Sequence, residues 1–184
     1  MTRFLTVLLV AVIPWTACLS GEVPNYDRSL FGGWADEDHD CLNTRHELLM
    51  KLSTSTVQTG ANTCIVARGR WNDPYTGKIF YKARQMDIDH LIPLKWAWNH
   101  GAYGWSFEKR KTFANDESNL FAVEARVNRQ KGARGPLGWL PPNKAFHCQY
   151  VLRFIRITKK YDLVLTINEA DGFSSLRAKV CGGI

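Results

Sequence analysis

Cysteine placement limits this 184-residue chain more than any other feature, because four of its five cysteines, Cys41, Cys64, Cys148 and Cys181, lie beyond an apolar leader. In the leader, Arg3 precedes an apolar run from Phe4 to Ile13, followed by the helix breaker Pro14 and small residues. This is the pattern of a signal peptide over residues 1–20, with cleavage between Ala17 and Gly21. A bilayer needs about 20 apolar residues, so no stable membrane span is expected. Trp15-Thr16-Ala17-Cys18 faintly follows a lipoprotein box with Trp15 in place of the usual aliphatic residue. Lipid anchorage at Cys18 and a periplasmic location are therefore the minor alternatives to secretion. With Cys18 removed or lipidated, an even number of cysteines remains in an oxidising compartment, and two disulfides follow. Three pairings are open. Cys41–Cys64 with Cys148–Cys181 is favoured because each bridge closes a loop around one end of the domain. A tetracysteine zinc site is disfavoured by the absence of any Cys-x-x-Cys spacing.

The length supports one core, so residues 21–184 are expected to form a single domain, monomeric in solution. Twenty-four Lys and Arg against seventeen Asp and Glu give a formal charge of +7, which favours an anionic partner. The plain alternative is a basic surface with no particular partner.

The acidic stretch Asp36-Glu37-Asp38-His39-Asp40 predicts an extended surface segment. Leu48, Leu49 and Leu52 recur at helical spacing, and Thr44 with Glu47 has capping-box spacing, so a helix is expected over 44–52. Residues 64–71 and 79–83 read as hairpin arms around Asn72-Asp73-Pro74-Tyr75-Thr76-Gly77, the second arm running on into 87–94 until Pro93 ends the pairing. The aromatic stretch 95–116 reads as a loop and a short helix whose rings belong to the core. Residues 119–123 form the next strand candidate, and 124–134 a basic helix ending before Gly135-Pro136. From Cys148 to Tyr161 the residues Tyr150, Val151, Phe154 and Ile157 line one side of a further helix.

Phosphodiester hydrolysis needs a base for water, a cation for the charge that develops, and donors that hold the backbone. Asp89 and His90 are neighbours near a strand end, so their side chains point apart, one carboxylate available to a hard metal and one imidazole to water. Asn128 offers a neutral oxygen ligand on the following helix. Asp87-Ile88-Asp89-His90-Leu91-Ile92-Pro93, then Ser118-Asn119-Leu120, then Val127-Asn128-Arg129-Gln130-Lys131-Gly132 resembles the Asp-His-Asn form of the HNH nuclease motif. With Asp40 to Glu47 upstream, Trp71 to Gly77 in the middle and Trp139-Leu140-Pro141-Pro142 downstream, the chain resembles bacterial secreted HNH proteins related to the C-terminal domain of GmrSD-type restriction endonucleases.

The resemblance implies an α+β fold with a ββα-metal (His-Me finger) core over about 79–135, flanking helices and two disulfides. It makes His90 the general base, Asn119 the residue that fixes the catalytic loop, and Asp89 and Asn128 the metal ligands. Asn128 in the final position, where the motif's name has histidine, favours Mg²⁺, with Mn²⁺ as a substitute and Zn²⁺ less suited. Arg45, Arg129, Lys131 and Arg134 are candidate phosphate contacts, against the alternative of a solvated basic face. The implied activity is cleavage of DNA, with RNA as a second substrate, at low sequence specificity. A catalytically inactive basic protein that binds nucleic acid or a surface polymer is the alternative from another class. For each residue taken singly the plainer reading is structural: His90 as a hydrogen-bonded core histidine, Asn119 as a turn residue, Asp87 as a scaffold carboxylate. A neutral imidazole base implies that activity falls at low pH, with an ordinary histidine pKa of about 6.5 as the starting point.

Overall fold

A computed structural model describes residues 22–61 and 63–182. The expected leader, its cleavage region and Cys18 lie outside the described residues. The chain alternates helices and short strands in a mixed α+β arrangement: α1 (Thr44–Leu52), β1 (Gln58–Thr59), β2 (Val66–Asn72), β3 (Ile79–Lys82), β4 (Met86–His90), α2 (Leu94–Asn99), α3 (Phe107–Asn115), β5 (Leu120–Glu124), α4 (Ala125–Lys131), α5 (His147–Lys160) and α6 (Ile167–Cys181). The first sheet is antiparallel in the order β1-β2-β3, and the second pairs β4 with β5 antiparallel, from Met86 opposite Glu124 to His90 opposite Leu120.

The β2–β3 hairpin turns where Asp73 accepts from the backbone N–H of Tyr75 and of Thr76 at 2.9 and 3.2 Å. The second arm does not run on into Asp87 as the sequence suggested. A 3-10 turn at Ala83–Gln85 passes the chain to the second sheet, so the expected 79–135 core is divided and the strand–strand–helix unit is β4, β5 and α4. Between its strands lie two helices, α2 and α3, where a loop and one short helix were expected.

The α1 boundaries match the periodicity, but its cap does not. Asn43 is the N-cap, while the Thr44 hydroxyl, already inside the helix, donates to Ala35 O and Asn115 Oδ1. Leu48 and Leu49 are buried, whereas Leu52 is exposed.

Alternation along the β4–β5 pair sorts the core. Met86, Ile88, Leu120 and Ala122 join Leu48, Leu49, Val66 and Trp71 in a cluster beneath α1. Val123 faces the larger cluster, with Val127, Trp96, Trp98 and Phe113, which α5 completes with Tyr150, Val151, Phe154 and Ile157.

The disulfides are Cys41–Cys64 and Cys148–Cys181, the pairing that loop closure favoured. The second joins the first turn of α5 to the last residue of α6, fixing an antiparallel helix hairpin. Its sequence separation of 33 corresponds to about 3–4 kcal/mol of loop-closure entropy. The double substitution Cys148→Ser with Cys181→Ser should lower the stability measured by urea unfolding by about that amount. An unchanged midpoint would mean that packing alone holds α6.

Candidate active site

A cleft of about 570 Å³ opens at the end of β4 and is bordered by Arg28, Trp34, Arg45, Asp87, Asp89, His90, Lys95, Asn128, Arg129 and Gly132, among others. Two spacings bring its chemistry together. Asp87 and Asp89 share one face of β4, and Asn128 and Lys131 share one face of α4. The Asn128 amide donates to Asp87 Oδ2 at 3.1 Å. One turn on, the Lys131 ammonium donates to both oxygens of Asp89 at 2.9 and 2.7 Å and to the His90 carbonyl at 2.6 Å. The helix then ends at Gly132, whose φ of +57° suits a residue without Cβ.

The geometry around three of the expected site residues differs from what their expected roles imply. Lys131, expected to hold a phosphate, is wholly buried in the ion pair. Asp89, expected to face a metal ion, keeps a side chain only 7% exposed, with the Tyr75 hydroxyl donating to Oδ2 at 2.6 Å as well. Burial pushes the Asp89 carboxyl up and the Lys131 ammonium down, and their mutual attraction opposes both shifts. Burial and the neighbouring Asp89 charge raise Tyr75 well above the ordinary tyrosine value, so it stays a donor. The carboxylate left partly open to the cleft is Asp87. Arg134 is not on the cleft border either: it donates to the carbonyls of Gln130 and Lys131 and caps α4. Arg45 and Arg129 are there, Arg45 anchored through Met86 O at 2.8 Å and Arg129 through Ala125 O at 3.1 Å.

His90 leaves β4 on the other face. Its Nε2 lies 2.7 Å from the carbonyl of Ala114 in α3. A carbonyl only accepts, so Nε2 carries the proton and Nδ1 keeps its lone pair. Trp34 stacks on the ring, centroids 5.2 Å apart and planes 2° from parallel. Burial lowers the His90 pKa to about 3, against the raising effect of the Ala114 carbonyl, with Arg28 and Lys131 lowering it further. The ring is therefore neutral across the ordinary working range. Asn119, fully buried, accepts from Ile92 N–H through Oδ1 at 2.8 Å and donates to Ile92 O at 3.3 Å, while its own carbonyl accepts from Leu91 N–H at 2.8 Å. It thus fixes the two residues that follow His90.

Sequence reasoning missed Arg28, Trp34, Lys95 and Asn115. Asn115 holds the segment that carries Trp34: it accepts from Ala35 N–H at 2.9 Å and donates to Gly33 O at 3.2 Å. No periodicity signals such a contact across the chain. Outside the cleft, Asp36, Asp38 and Asp40 each bring a carboxylate oxygen within 4.8 Å of the others. Burial, together with the charge of this surface group, raises the Glu47 carboxyl.

The fold and this cleft define an α+β protein with an imidazole, a carboxylate and a carboxamide gathered under a basic rim. A family model described as "GmrSD restriction endonucleases, C-terminal domain" matches residues 43–174, more than half of the chain, and the chain belongs to that family. A similar protein from Arthroderma benhamiae, named "Uncharacterized secreted protein", is 37% identical over 158 residues, which cover 85% of this chain and 76% of the relative. That relative is fungal, so the bacterial setting implied by the sequence resemblance is not supported. No solved structure matches the chain. No helix among the described residues is long and apolar enough to cross a membrane.

Removing one member of a buried ion pair leaves an uncompensated charge, a loss of about 3–5 kcal/mol. Lys131→Met should therefore unfold at markedly lower urea concentration, and adding Asp89→Asn should recover part of the loss. A single variant as stable as the parent protein would show that the pair does not hold α4 on β4.

Proposed function

We propose that this chain is a secreted, metal-dependent endonuclease that hydrolyses phosphodiester bonds of DNA, and of RNA as a second substrate, with low sequence specificity. In this reading β4, β5 and α4 are a ββα-metal core of the HNH kind within one domain spanning residues 21–184. The observation that carries the reading is the His90 ring. Its Nε2–H is held by a backbone carbonyl while Nδ1 remains an acceptor, beside the Asp87–Asn128 pair. Family membership and the name of the Arthroderma relative support the nuclease and secretion parts of the proposal.

The cleft donors suit a hard divalent ion. Asp87 and Asn128, whose amide nitrogen lies 3.1 Å from Asp87 Oδ2, carry a carboxylate and a carboxamide oxygen on two adjoining elements, donor types suited to Mg²⁺ or Mn²⁺. These two are the residues that would hold it, in place of Asp89, whose oxygens are engaged by Lys131 and Tyr75. Such an ion, when bound, supplies positive charge to the phosphate and leaving oxygens. His90 Nδ1 takes a proton from water as the water oxygen attacks phosphorus, and the P–O bond on the opposite side breaks. Trp34 and the Ala114 carbonyl hold the ring plane during this transfer. Arg28, Arg45, Lys95 and Arg129 supply donors to the flanking phosphates. The bound phosphodiester itself places negative charge beside the imidazole and raises its proton affinity.

The test is plasmid nicking by oxidatively folded protein with Mg²⁺, with EDTA and with His90→Ala. Cleavage should require metal and fall by about 10² or more in the variant. Folded protein that binds DNA but never cuts it with Mg²⁺ or Mn²⁺ would favour the inactive binding protein.

The pH dependence has a definite sign. His90 in the fold titrates at about 3, below the ordinary value of 6.5, so the unfolded chain binds more protons between these values. Keeping this ring neutral therefore costs stability progressively as pH falls from 6.5 toward 3. For the same reason the acid limb of kcat/KM, which reports the free enzyme, should lie well below pH 6.5, with the kcat limb at higher pH than the kcat/KM limb. A kcat/KM limb at 6.5 or above would contradict a buried neutral base.

A further inference from the structure

A second groove, about 470 Å³, adjoins the cleft on the side of the first sheet and is bordered by Arg45, His46, Ile65, Arg68, Lys82 and Arg84, together with small apolar residues. Arg45 borders both cavities, so the two lie on either side of one side chain. We propose that this groove carries the DNA strand away from the cleavage site, holding its phosphates over the hairpin formed by β2 and β3. This extends the nuclease reading and rests on it.

Three features support the assignment. First, the border contains four Lys and Arg and no carboxylate. Arg68 and Lys82 are register partners across β2 and β3, and Arg84 follows in the adjoining turn, so the charges form a short row leading from Arg45. Arg68, Lys82 and Arg84 are exposed, and none has an ion-pair partner among the described residues. A row of uncompensated cations costs mutual repulsion that an anionic strand relieves.

Second, His46 is set as a neutral donor. Its Nδ1 accepts from Val66 N–H at 3.2 Å, so Nε2 carries the hydrogen and is available to a phosphate oxygen. Third, Ile65, Val66, Ala67 and Ala83 give the groove an apolar floor, with Ile65 47% exposed. Such a floor suits the apolar face of deoxyribose and offers no side chain that reads base edges. Contacts of this kind fix the position of a strand without selecting its sequence.

The experiment uses the full mature chain carrying Arg68→Gln, Lys82→Gln and Arg84→Gln together, beside the parent protein. Binding of a labelled 24-base-pair duplex is measured by fluorescence anisotropy across a salt series with EDTA present. Hydrolysis of bis(p-nitrophenyl) phosphate, which is too small to reach the groove, is measured with Mg²⁺. The variant should keep the parent's thermal midpoint and its hydrolysis of the small diester. It should bind the duplex at least tenfold more weakly at moderate salt, with the slope of log K against log salt reduced in magnitude by about 2.7, the value for three lost phosphate contacts. Equal affinity and slope in variant and parent, with diester hydrolysis intact, would overturn the groove assignment and leave the hydrolase reading standing. A parent protein that neither binds the duplex nor hydrolyses the diester would overturn both.

Discussion

The buried pair between Lys131 and Asp89 holds the rest of the site in register. It joins the last turn of α4 to the end of β4, and the same ammonium donates to the His90 carbonyl. The two elements have different repeats: three helical residues advance about 4.5 Å, and two strand residues about 6.6 Å. The Asn128–Lys131 and Asp87–Asp89 spacings therefore match closely enough for two contacts to form side by side. Once Lys131 is seated on Asp89, Asn128 lies against Asp87. Buried ion pairs contribute little net stability against well-packed apolar residues. The value of this one lies in geometry: it selects one docking position of α4 on the strand.

The segment between β4 and β5 completes that arrangement from the other side. Its second helix supplies the Ala114 carbonyl that sets the His90 tautomer, and the next residue, Asn115, ties down the N-terminal segment that brings Trp34 over the ring. Asn119, at the return into β5, clamps the backbone just beyond His90. The imidazole is thus contacted from two parts of the chain and the backbone beyond it is held from a third, while its acceptor nitrogen is left without a partner among them. The same burial that fixes the ring keeps it uncharged.

Much of this was legible in the residues. The period of α1, the apolar side of α5, the β2–β3 turn and both disulfides followed from local pattern and cysteine parity, because each depends on nearby residues or on loop closure. The Asp87 to His90, Asn119 and Asn128 segments were recognised as one constellation from their order. Side-chain partnership was not legible. Lys131 and Arg134 read as cations on a basic helix, and only the fold shows that one is buried against a carboxylate and the other caps its own helix. Asp89 and Asp87 are indistinguishable by composition, since which of them meets Lys131 depends on how α4 docks. Arg28, Trp34 and Asn115 act across large sequence separations, which periodicity cannot register. The α6 helix has a capping box at Thr166 and Glu169, a local signal available in the sequence, but it buries little more than Phe173 and carries no strong apolar stripe.

The central claim is a neutral His90 with its proton on Nε2 and its lone pair on Nδ1. Long-range ¹H–¹⁵N correlation spectra of the ¹⁵N-labelled protein, followed from pH 7.5 to 4.5 and assigned with His90→Gln, measure this state directly. The account predicts a pyrrole-type Nε2 and a pyridine-type Nδ1 throughout that range, without conversion to imidazolium. An imidazolium signal for His90 at pH 6, or a proton resident on Nδ1 at neutral pH, would contradict it.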